Sequence, residues 1–143
     1  MKKLSLVFCL TTLLAGCAIQ QRVTPVTGLT TPEVCIIENI AVRAGFSEEL
    51  RKSLAGKGYQ ARMVAADSPT SVCPVSVTYV GRWTWDLGLY MSYAEIKVFS
   101  AGQPAGEAIY DSTGGGATFS KFIDASVKIR ELVDKLFPAK AGA

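Results

Sequence analysis

Leu14-Ala15-Gly16-Cys17 carries the most specific chemistry in this sequence. A branched aliphatic residue, two small residues and a cysteine have the form of a lipobox. The small side chains admit a protease beside the bond, and the thiol takes a diacylglyceryl group. Cleavage then frees an amino group on Cys17 that can be acylated in turn. The flanks agree. Met1-Lys2-Lys3 is basic, and Leu4 to Leu14 carries no charge. That apolar stretch is too short for a finished membrane-spanning helix, which needs about 20 residues. It reads as a secretory signal peptide, residues 1–16, removed before the protein functions. Cys9 does not compete for lipidation, because Val7 and Phe8 are too bulky for the small-residue positions.

With Cys9 discarded and Cys17 lipidated, Cys35 and Cys73 are left in an oxidising compartment. An even pair there is expected to form a disulfide. The alternative is two buried free thiols. The sequence contains no histidine, which removes the commonest general base and a common metal ligand. No cysteines show zinc spacing, so neither a metal nor another cofactor is expected, and serine–histidine and cysteine–histidine hydrolases are excluded. Without Lys2 and Lys3 the formal charge falls from +3 to +1. The mature chain has no basic stripe, so nucleic acid is not an expected partner.

Asp86, Glu95, Glu107, Asp111 and Asp124 could supply a carboxylate pair of the kind that hydrolyses glycosides. Scattered single acids are more commonly solvated, and Glu95 with Lys97 fits a surface ladder on an exposed sheet face. Gly114-Gly115-Gly116 could form an anion-binding nest before a helix. It lacks the Gly-Lys-Ser/Thr ending of a P-loop, and a connecting loop is the plainer reading. Trp83 and Trp85 are two apart, on one face of a regular strand, with Tyr90 and Tyr93 across a turn. Such a cluster suits a binding surface, because large aromatics dominate hot spots. Core packing beneath the helices is the plainer reading.

These residues must be positioned by elements that the periodicity outlines. Residues 17–32 are rich in Thr, Gln and Pro without a hydrophobic period, and read as a flexible tether. Residues 33–138 form one domain, and 139–143 a tail. A short strand covers 34–39. Phe46, Leu50 and Leu54 mark one face of a helix over 43–57, with Gly56 or Gly58 capping it. A strand follows over 59–64, then three alternating strands over 75–85, 89–99 and 105–110. Gly88 is expected to take the positive φ of the first hairpin turn. A final helix spans about 120–137 and is stopped by Pro138. The order β-α-β-β-β-β-α gives an α+β fold: a two-layer sandwich, with a mixed sheet of about five strands and two helices on one face.

Trp83-Thr84-Trp85-Asp86-Leu87-Gly88-Leu89-Tyr90-Met91-Ser92-Tyr93-Ala94-Glu95-Ile96 resembles the signature of a family of small proteobacterial lipoproteins. Val34-Cys35-Ile36-Ile37-Glu38-Asn39, Gly106-Glu107-Ala108-Ile109-Tyr110-Asp111 and Lys121-Phe122-Ile123-Asp124-Ala125 are similar to that family too. The resemblance spans nearly the whole mature chain and implies lipidation at Cys17, but no activity. In such lipoproteins an aspartate after the lipidated cysteine retains the protein in the inner membrane. Ala18 stands there instead, which implies an outer-membrane anchor facing the periplasm. More loosely, the element order is similar to periplasmic auxiliary lipoproteins, namely the one that assists lipopolysaccharide assembly and the N-terminal domain of the Tol propeller protein. That is analogy of fold only. The expected function is a non-enzymatic accessory that binds an envelope protein. The second expectation is a small binder of lipid or peptidoglycan fragments in the space between sheet and helices.

Overall fold

A computed structural model describes residues 18–138; the signal segment, Cys17 and the tail 139–143 lie outside the described residues. The chain folds as β1 (Gln20–Thr24), β2 (Glu33–Ile37), α1 (Ala44–Gly56), β3 (Gln60–Val64), β4 (Val75–Trp85), β5 (Leu89–Ser100), β6 (Gln103–Asp111), a 3-10 turn (Phe119–Phe122) and α2 (Ala125–Leu136). One six-stranded mixed sheet has the order β1-β6-β5-β4-β2-β3. β2 is parallel to β3 and β4, and β4-β5-β6-β1 is antiparallel throughout. This is the expected α+β sandwich, with one strand more than the sequence suggested.

The extra strand corrects the reading of residues 17–32 as a tether. β1 zips along β6 from Gln20↔Asp111 to Thr24↔Glu107. Alternation over Gln20–Thr24 is real but faint, because Val23 is its only apolar residue. What fixes the strand is tertiary. Val26 is fully buried, and its N–H donates to the Leu136 carbonyl at 2.8 Å. A Cβ on Gly106 would meet Val26 Cγ2 at 2.5 Å and the Thr24 carbonyl oxygen at 3.0 Å, so glycine lets the segment pack down on β6.

A polar clasp completes the attachment. Glu131 on α2 accepts from Gln21 Nε2 at 2.9 Å, Lys128 Nζ at 2.6 Å and Lys135 Nζ at 2.7 Å. Those donors, Lys128 first, pull the Glu131 carboxyl down to about 2. A depressed carboxylate contributes stability above its unfolded value of 4.5, and that contribution is lost as pH falls toward the folded value. Because the side chain is one-third exposed, solvent screening leaves about 1 kcal/mol of it. Glu131→Gln should therefore lose about 1 kcal/mol near neutral pH. It should also unfold with a flatter pH dependence between about 4.5 and 2. Urea titrations across that range check both.

The core lies between the sheet and the helices. Phe46, Leu50 and Leu54 of α1 meet Ile129, Leu132, Val133 and Leu136 of α2 over Val34, Ile36, Val77, Ile96 and Ala108. The helical face expected from Phe46, Leu50 and Leu54 is the buried one. Glu49 turns toward α2 and pairs with Arg130 at 3.1 Å. The final helix begins at Ala125 rather than 120, because Asp124 accepts from the N–H groups of Ser126 and Val127 as an N-cap. Cys35 and Cys73 form the expected disulfide, with Cα atoms 6.0 Å apart. It ties β2 to the segment entering β4.

Candidate functional site

Two exposed regions stand out, and the aromatic motif contributes to both. The first is the sheet face away from the helices. Its rows follow from strand register. Gln20, Asp111, Tyr93 and Arg82 form one row; Arg22, Ile109, Glu95 and Val80 the next; Thr24, Glu107, Lys97 and Thr78 a third. Residues of the intervening rows, such as Val23, Ala108, Ile96 and Tyr79, face the helices. The open face alternates in charge. Lys97 Nζ bridges Glu95 at 3.0 Å and Glu107 at 3.7 Å, which is the expected ladder. The Tyr93 hydroxyl donates to Glu95 at 2.9 Å, and Arg82 lies 5.1 Å over the Tyr93 ring. Burial first, and then the Glu95 carboxylate, push that phenol up.

The second region is the tip of the β4–β5 hairpin. A bulge between Arg82 and Trp83 shifts the register, so that Trp83 faces Met91 and Trp85 faces Leu89. Simple counting across the turn therefore fails, and the four aromatics do not form one cluster. Trp83 is half-buried edge-on against Phe46 at 6.4 Å, beneath Arg43. Tyr90 is buried against Phe122 at 5.3 Å. Tyr93 joins the open face. Trp85 alone is largely free, at 73% exposure, and Leu87 (84%) and Leu89 (51%) continue the apolar tip. Leu87, not Gly88, takes the positive φ of the turn, at 57°. An exposed leucine in that conformation costs about 1–2 kcal/mol against glycine.

Beside the tip, the 3-10 turn presents Phe119 at 84% exposure. Lys121 locks this turn to the hairpin. Its buried ammonium pairs with Asp86 and donates to the Gly116 carbonyl at 2.9 Å, 5.4 Å from both the Tyr90 and Phe122 rings. The triple glycine thus serves as a turn whose carbonyl holds a lysine. Phe119 carried no sequence signal, and Lys121 only that of the lipoprotein resemblance; the fold alone brings them to the hairpin.

The candidate carboxylates are each engaged, and of the five only Glu95 and Glu107 come together, on the shared Lys97 ammonium. Asp86 pairs with Lys121, Glu95 and Glu107 with Lys97, Asp111 bonds Thr113, and Asp124 caps α2. The interior between sheet and helices is filled by the core side chains. The larger grooves are open surface features, one of about 540 Å³ lined by Thr24, Lys97, Phe99, Pro104, Ala105 and Glu107. Among the described residues, no helix is long and apolar enough to cross a membrane.

Compared with protein-family profiles and with curated proteins, the chain matches none. Among solved structures it is similar to the PelC dodecamer from Paraburkholderia phytofirmans. The TM-score is 0.58 at 12% identity, over 82% of this chain and 98% of that one. A PelC point variant from the same organism, also a dodecamer, aligns with a TM-score of 0.57 at 11% identity, over 83% and 98%. At such identity the likeness concerns the fold alone.

Proposed function

We propose that this chain is a lipid-anchored accessory protein of the cell envelope. It is held through Cys17 on the periplasmic face of the outer membrane and works by binding protein rather than by catalysis. The observation that carries the protein-binding reading is the uncovered sheet face. Three rows of alternating charge, with Ile109 and Val80 between them, span four strands opposite the helices. Such a face offers an ordered pattern of charge to a partner, and electrostatic complementarity selects partners more than it adds raw affinity. The lipobox and the resemblance to small proteobacterial lipoproteins support the anchor. The shared fold with a dodecameric protein supports assembly with other chains, a second copy of this one included. A pocket for lipid or glycan fragments between sheet and helices has less support, because core side chains occupy that space.

Photo-crosslinking in intact cells tests the reading. A photoreactive residue at Thr78 or Ile109 should give one dominant protein adduct, whereas one at Lys52 on α1 should not. Equal, diffuse labelling from all three positions would contradict it.

A further inference from the structure

We propose that the β4–β5 hairpin tip and Phe119 form a membrane-docking surface that seats the domain on the phospholipid layer carrying its own anchor. The inference rests on lipidation of Cys17 and adds an orientation to it.

Strand geometry supplies the first argument. β1 begins at Gln20, which pairs with Asp111, and Asp111 pairs with Tyr93. These three residues mark one level of the sheet. Beyond it, β5 continues four residues to Leu89, about 13 Å of strand. Going backward from Gln20, Cys17 is three residues away, at most about 10 Å of chain. Because β1 runs away from the hairpin end, the chain before Gln20, Ala18 and Ile19, lies on the side toward which the hairpin projects.

The path of the chain agrees. A Cβ on Gly114 would meet the Ala18 carbonyl oxygen at 3.5 Å, and one on Gly115 would meet Ile19 Cγ1 at 3.0 Å. The residues next to Cys17 therefore lie against the loop that leads into the 3-10 turn. That turn is tied to the hairpin through Lys121 and Asp86. Ala18, which carries the bond to the lipid attachment point, thus lies at the same end of the molecule as the tip. The bond to Ala18 lets Cys17 Cα lie no farther than about 3.8 Å from its neighbour.

The chemistry of that end suits a bilayer interface. Of the eight exposed large apolar side chains among the described residues, four are here: Trp85, Leu87, Leu89 and Phe119. An exposed tryptophan beside aliphatic side chains fits the headgroup boundary, where indoles are enriched. The one acidic group of the tip, Asp86, is paired with Lys121. The left-handed Leu87 points to the same use. The turn accepts an unfavourable backbone in order to present an aliphatic side chain, and a hairpin in water gains nothing from that.

The test uses the full lipidated protein in vesicles of phosphatidylethanolamine and phosphatidylglycerol with brominated acyl chains. Trp83→Phe leaves Trp85 as the remaining indole. If that variant folds poorly, the difference between wild type and Trp85→Phe isolates the same signal. Docking requires Trp85 emission to shift to the blue and to be strongly quenched by the bromines. Mass spectrometry of the N-terminal peptide, run alongside, separates the causes of failure. A lipidated chain whose Trp85 emits as a water-exposed indole without quenching overturns the docking and leaves the anchor standing. A chain without lipid that stays off the vesicles overturns both. A blue shift that grows with protein concentration and ignores the bromines means a second chain covers the tip, which also overturns the proposal.

Discussion

Cys17→Ala should move the protein from the membrane fraction to the soluble fraction almost completely. One acyl chain holds a protein only marginally, at about 0.8 kcal/mol per buried methylene, and two or more make the attachment stable. The variant keeps none. The apolar tip does not compensate, because a few side chains in the headgroup region orient a domain without holding it. The domain itself should be unharmed, since the first side chain packed against its core is Ile19 and β1 starts at Gln20, both after Cys17. Flotation of cell lysates on a density gradient, with circular dichroism of the released protein, gives both readouts. Unchanged flotation with a folded domain would sink the anchor.

Removing the Cys35–Cys73 bond should be the largest single loss of stability. The bridge closes a loop of 38 residues, which constrains the unfolded chain by about 3–4 kcal/mol. It also sits in the middle of the fold. Cys35 is fully buried on β2, between β3 and β4, and Arg62 Nη2 approaches the Cys73 sulfur at 3.3 Å. A Cys35→Ala, Cys73→Ala pair avoids leaving one thiol unpaired. It should lower Tm by about 10–20 °C for a domain of this size. Scanning calorimetry of the pair against the oxidised protein reads the difference, and equal melting temperatures would contradict it.

Much of this fold was legible because its signals are local. The period-four spacing of Phe46, Leu50 and Leu54, the glycine pair around Lys57 and the long alternation from Val75 to Trp85 each specify an element without reference to the rest. The disulfide was legible for another reason: compartment and count left one pair of cysteines. β1 was not. Gln20–Thr24 has one apolar residue, and its pairing depends on Gly106, Val26 and the Glu131 clasp, all distant in sequence. The break before α2 was hidden by Phe122 and Ile123, which continue the apolar pattern while Asp124 caps the helix after them.

The site was legible as composition but not as geometry. Trp83, Trp85, Tyr90 and Tyr93 are all near the hairpin, yet one extra residue in β5 sends them to different neighbours. A bulge leaves no mark in the sequence that alternation can detect. Trp85 stays exposed because the strand runs past the end of the helices, and Tyr90 is covered because Lys121 draws the 3-10 turn against the hairpin. The four aromatics are therefore divided between interior and surface, Tyr90 buried and Trp85 exposed. Aromatic and aliphatic groups do gather at the tip, but Leu87, Leu89 and Phe119 are its main companions to Trp85.

Both the envelope anchor and the docked orientation depend on a chain that begins at Cys17 with lipid attached. The most direct measurement is the mass of the N-terminal peptide of the mature protein, extracted from membranes. The account predicts a peptide starting at Cys17, with a diacylglyceryl group on sulfur and an acyl group on the new amine. A peptide that retains residues 1–16, or one that begins at an unmodified residue, would contradict it.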